Sequence, residues 1–139
     1  MNLKKILLPG IAGGVIYFFL GYLFYGLLFK DAMGNNIAGV NRPMDQMVWW
    51  ILILGEIFYG LLLAFIISKS TDVSFMTGLV TGAITGFLVS SSFDFVMHST
   101  TYLFNKKQVI YDVAIVTIMS AITGGVVAFI AVLGTKKSE

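Results

Sequence analysis

Asp94 and His98 stand one helical turn apart inside a long apolar run, and two further acids, Glu56 and Asp112, interrupt other apolar runs of the same chain. Residues four apart on a helix share a face, so Asp94 and His98 are placed to touch. A carboxyl group at the centre of a membrane helix costs about 2.5–3.5 kcal/mol to insert, which turns Glu56 and Asp94 away from lipid. None of the nine Lys and Arg residues falls within the apolar runs. Without an internal basic partner, these acids must be protonated, paired with a charged His98, or neutralised by a cation or by water. Glu56, Asp94, His98 and Asp112 therefore form a candidate proton or cation cluster, with Ser90, Ser91, Tyr59 and Thr101 as supporting polar groups. A plainer reading of the same residues is structural. Glu56 and Asp94 then act as interhelical hydrogen-bond donors, Asp112 as an interfacial cap and His98 as a core residue, at about 0.6–2 kcal/mol per bond.

The elements that must position these groups follow from composition. Of 139 residues, 58% are apolar and 12% charged, about half the ~25% charged residues of soluble domains. A soluble domain of this size hides only about two-thirds of its chain's surface, so the excess apolar surface must face lipid or another chain. Four apolar runs, at about 6–29, 47–68, 75–104 and 109–134, each reach the ~20 residues that a helix needs to cross a bilayer. The expected fold is all-α: one integral-membrane domain of four transmembrane helices in an up-down-up-down antiparallel bundle, because the links between runs are short. The Asn35-Asn36 and Arg42-Pro43 pairs are turn signals in the one real loop.

A rise of ~1.5 Å per residue then sets depths below the face opposite the termini: about 14–15 Å for Glu56 and Asp94, 9 Å for His98 and 5 Å for Asp112. Consecutive packing would set the third helix between the second and the fourth. Five lysines on the face of the termini (Lys4, Lys5, Lys69, Lys136 and Lys137) oppose Lys30, Arg42, Lys106 and Lys107. That balance orients the termini to the cytoplasm of a bacterial inner membrane.

Other function classes lose support. There are no cysteines and one histidine, so thiolate sites and two-histidine metal motifs are absent, and the metal question stays open. Catalytic and cofactor signatures such as G-x-S-x-G, H-E-x-x-H and the P-loop are missing, so neither an enzyme nor a cofactor is expected. A net charge of +2 without a basic stripe argues against nucleic acid as a partner.

Gly78, Gly82, Gly86 and Ser90 recur every four residues on one ridge that continues to Asp94 and His98; Gly10 and Gly14 make a shorter ridge, and Thr117, Ala121 and Gly125 another. Small residues on a ridge let helices approach closely in lipid, either within the chain or between copies. Partners are therefore the bilayer and a homo-oligomer or larger membrane complex. The expected function is an accessory or assembly subunit acting by helix packing; the alternative is a proton or small-cation transporter or channel. Tyr17, Tyr22, Tyr25 and Tyr59 serve packing or line a small-molecule pocket between helices. A 68-residue shift aligns Gly14, Ile16, Phe19 and Leu20 with Gly82, Ile84, Phe87 and Leu88, from either a duplicated two-helix unit or shared composition.

The stretches Gly21-Tyr22-Leu23-Phe24-Tyr25-Gly26, Tyr102-Leu103-Phe104 and Ile110-Tyr111-Asp112-Val113 resemble small bacterial four-helix membrane proteins grouped as domains of unknown function. The resemblance implies the four-helix architecture. It carries over Asp112 first and Asp94 second as positions of interest, and it implies no activity.

Overall fold

The computed structural model describes residues 3–34 and 37–136; Asn35 and Asn36, where the sequence signals a turn, and Lys137 lie outside the described residues. These residues are helical without strands, and four helices are long and apolar enough to cross a membrane, the mark of a multi-pass membrane protein. Helix α1 (Lys4–Gly21) runs directly into a π-helical segment (Tyr22–Leu28), and a single turn, α2 (Lys30–Met33), follows. The long helices α3 (Trp49–Ile67), α4 (Phe75–Thr100) and α5 (Lys106–Lys136) complete the chain.

Two boundaries differ from expectation, and both have a local cause. Helix α4 ends at Thr100, four residues early, and Thr101 takes up extended backbone with its Oγ1 donating to the Met97 carbonyl at 2.7 Å. Helix α5 begins three residues early because Asn105 and Gln108 cap it reciprocally. The Gln108 N–H donates to Asn105 Oδ1 and the Asn105 N–H to Gln108 Oε1, each at 3.0 Å. Such a pair satisfies two amides that the helix start would otherwise leave unbonded. Gln108 Nε2 also donates to the Gly34 carbonyl at 2.8 Å, which ties the end of α2 to the start of α5.

Glycine seams join the helices in pairs. A Cβ on Gly10 would stand 2.9 Å from Leu61 Cα, and one on Gly14 would stand 2.5 Å from Ile57 Cα, so α1 and α3 run antiparallel in backbone contact. Along α4, Gly78 faces Gly124 and Ala128, Gly82 faces Ser120 and Gly124, and Gly86 faces Ser120 and Val116. That seam is antiparallel as well. Gly14 and Gly82, which the 68-residue shift aligns, thus both lie where the backbones of their respective helix pairs meet. The partner ridge on α5 is Val116, Ser120, Gly124 and Ala128, one residue away from the expected Thr117, Ala121 and Gly125. Gly125 instead meets the Phe75 ring.

The arrangement of neighbours also differs from expectation. Helix α5 is central and the most enclosed of the four: it packs on α4, α1 and α3, whereas α4 has only a minor contact with α3. The reason lies in side-chain size. Gly13 admits Val127 between α1 and α5, and Gly21 leaves room for Met119, so α1 rather than α4 sits beside both α3 and α5. Ile6, Leu63, Ala64, Ile67, Val127 and Ala128 make an apolar core toward the terminal end of the helices. Tyr17, Ile115 and Met119, flanked by Tyr25 and Tyr59, fill the other half. Large apolar side chains such as Trp50, Phe58, Phe87 and Phe93 point outward, where lipid would cover them.

Candidate functional site

The Asp94 side chain is fully enclosed, at 0% exposure, and apart from the neighbouring Asp112 carboxyl no group stands within hydrogen-bonding reach of its oxygens. Its ionisable neighbour is Asp112, across the α4–α5 seam. The two acids lie at one level because each is six residues from its helix end, Thr100 or Lys106, about 9 Å into the bundle. The early end of α4 and the early start of α5 produce this alignment and replace the separate depths expected for them. Helix α1 closes the site. The Tyr25 hydroxyl, from its π-helical extension, donates to Asp112 Oδ1 at 2.6 Å. The Phe29 N–H donates to the Phe24 carbonyl at 2.7 Å in the five-residue step of that wider helix.

Deeper along α5 lies a second polar layer. The Tyr59 hydroxyl shares a 2.7 Å hydrogen bond with Ser120 Oγ, and the Tyr17 and Tyr59 rings meet at 4.6 Å with a 47° tilt. Thr123, one turn further, is enclosed with its hydroxyl oxygen unpartnered. Beyond it comes the apolar core around Leu63, Ile67 and Val127. The polar groups thus descend from the α4–α5 turn into the bundle and stop at the apolar core, on whose terminal side a cavity of about 320 Å³ is bordered by Lys5 and Ser68.

The other expected site residues divide around this centre. Glu56 does not join the two aspartates. It is half-buried on α3 and lines a separate cavity of about 560 Å³ between α1 and α3, together with Phe18, Tyr22, Tyr25, Lys30 and Trp49. His98 does not pair with Asp94, since its Nδ1 is 2.7 Å from the Phe104 carbonyl and neither Asp94 oxygen bonds to it. The turn at Thr101 draws the chain back across the end of α4, which brings that carbonyl within reach of the imidazole. Ser90 is buried and bonds its own helix at the Gly86 carbonyl, at 2.7 Å. The Ser91 oxygen is covered and unpartnered, and Thr101 caps α4 outside the site. Gly10, Gly14, Gly78, Gly82 and Gly86 are all buried in seams within the chain. No group of three or more His, Cys, Asp or Glu side chains able to hold a metal ion occurs among the described residues.

Tyr25, expected only to pack or to line a pocket, and Ser120 and Thr123 are the polar contributors outside the expected acid–histidine cluster. Tyr25 stands among aromatic neighbours whose natural role is packing, and only the α1–α5 contact reveals its carboxyl partner. The aspartates at one level, closed over by a phenol, form a compact acid pair within a bundle of apolar helices. Comparison with protein-family models, with curated proteins and with solved structures finds no match, so the chain's own residues carry the functional argument.

Proposed function

We propose that the chain is a multi-pass protein of the bacterial inner membrane that takes up a proton or a small monovalent cation at the Asp94–Asp112 pair. In this reading the four helices cross up-down-up-down with cytoplasmic termini, and the pair is reached from the opposite face. The supporting observation is the enclosed Asp94 carboxyl, which has no hydrogen-bond donor and a second carboxyl as its neighbour. Two carboxylates side by side in a medium of low dielectric repel strongly, so such a pair holds a shared proton or a cation between its oxygens. Tyr25 restrains the pair: its donated hydrogen bond occupies Asp112 Oδ1 and leaves the second carboxyl oxygen free to share a proton or cation. Asp112, half-buried, is the member nearer to solvent, and Asp94 is the closed one.

The apolar layer of Leu63, Ile67 and Val127 below Thr123 suits a carrier better than an open channel, because it separates the pair from the cavity bordered by Lys5 and Ser68 on the terminal side. The accessory-subunit role expected from the sequence draws less support, since the glycine ridges on which it relied make contacts inside the chain. The test is flux in liposomes loaded with a pH-sensitive dye. An imposed pH gradient, with or without Na⁺ or K⁺, should collapse faster with the wild-type chain than with Asp94→Asn or Asp112→Asn, while both variants insert and elute as the parent does. Equal rates for parent and variants would refute the proposal.

A further inference from the structure

We propose that the cavity between α1 and α3 is a binding site for a lipophilic organic cation, such as a quaternary or protonated tertiary amine carrying apolar groups. Its volume, about 560 Å³, is that of a small-molecule site. Phe18, Tyr22, Tyr25 and Trp49 supply four aromatic rings to its wall. Ring faces carry negative potential and attract cations, the more so where water is excluded. The only acid on the wall is Glu56, seven residues into α3, about 10 Å from the helix start. Among the described residues Glu56 has no ionic or hydrogen-bonding partner.

Charge decides between ligand classes. An acyl chain would fill the aromatic space and leave the Glu56 carboxyl without a polar partner in an apolar site, which is costly. An anion would meet that carboxyl directly. The single basic residue of the lining, Lys30, is exposed and makes no ion pair with Glu56. An organic cation satisfies the rings and the acid together. The π-helical segment builds much of the wall, since Tyr22, Tyr25, Gly26 and Leu27 all belong to it. This inference does not depend on proton or cation uptake at Asp94 and Asp112; the two sites share only Tyr25.

The chain has two tryptophans, so Trp50→Phe leaves Trp49, on the cavity wall, as the sole indole reporter. In purified full-length protein, titration with tetraphenylphosphonium should give a saturable change in Trp49 emission. Glu56→Gln should weaken that binding at least about tenfold, the effect of removing one charge-assisted contact. Glu56→Asp should retain most of it, and Asp94→Asn should stay within about twofold of the parent. Should Glu56→Gln fail to fold, tetraphenylborate supplies the comparison in the parent protein: an anion of equal size should bind at least about tenfold more weakly. Absence of saturation, equal affinity of Glu56→Gln, or equal affinity for the anion would each overturn the inference.

Discussion

A methyl group at Gly82 tests the seam that aligns the two aspartates. An added Cβ there would collide with the Ser120 carbonyl oxygen and lie 2.9 Å from its carbon and 3.1 Å from Gly124 Cα. These are backbone atoms, so no rotamer change relieves the clash, and α4 and α5 must part by about 1 Å, enough to forfeit a quarter to a half of each dispersion contact across the gap. Overpacking of this kind costs about 1–3 kcal/mol. Gly55 is the internal control: an added Cβ finds nothing within 4 Å, and the residue lies mid-helix in α3. Gly55→Ala should therefore be neutral or stabilising by up to about 1 kcal/mol, from helix propensity alone. Thermal unfolding of the purified variants in one detergent, followed by circular dichroism, should lower Tm for Gly82→Ala and hold or raise it for Gly55→Ala. The difference should not depend on protein concentration, because the seam lies within one chain. A Gly82→Ala variant as stable as the parent, or a loss that grows on dilution, would refute the packing described here.

Three further outcomes follow from the same contacts. Tyr25→Phe removes the 2.6 Å hydrogen bond to Asp112, and a double-mutant cycle with Asp112→Asn should show a coupling of about 1–3 kcal/mol in unfolding free energy; a coupling of zero would mean the bond is not formed. Gln108→Ala deletes both the cap of α5 and the tie to Gly34, so stability should fall by about 0.5–2 kcal/mol and the 34–43 loop should be cut faster by protease. His98→Ala should leave the liposome flux within about twofold of the parent, because the imidazole is engaged with Phe104 and makes no bond to Asp94; a loss equal to that of Asp94→Asn would restore the Asp94–His98 pairing.

The four spans were legible because length and apolarity alone define them. Where they end was less so. Asn105-Lys106-Lys107-Gln108 reads as a charged turn, yet Asn followed three residues later by Gln is also a helix-start signature, and the cap is what forms. Moving that boundary brings Asp112 level with Asp94, so a local misreading hid the central feature of the site. The glycine ridge of α4 was visible as a four-residue repeat. Its partner on α5 was not, because Thr117, Ala121 and Gly125 and Ser120, Gly124 and Ala128 are both runs of small residues, and an apolar helix offers no polar face to choose between them. Asp94 and His98 were correctly placed a turn apart, but whether neighbours on a helix bond depends on competitors, and the Phe104 carbonyl lies beyond the end of that helix. The π-helical turn that delivers Tyr25 has no marker in the sequence beyond its aromatic residues and Gly26.

If Asp94 and Asp112 act together as the site of proton or cation uptake, both carboxyls must answer to the same step in the infrared difference spectrum of the C=O stretch. Protein reconstituted in lipid is stepped in pH, or from Na⁺-free to Na⁺-containing buffer, and parent, Asp94→Asn and Asp112→Asn are compared. A carboxyl band in the parent should change with the step and be lost in both variants, since neither acid acts alone. A responsive band that survives both substitutions, or no response in the parent, would contradict it.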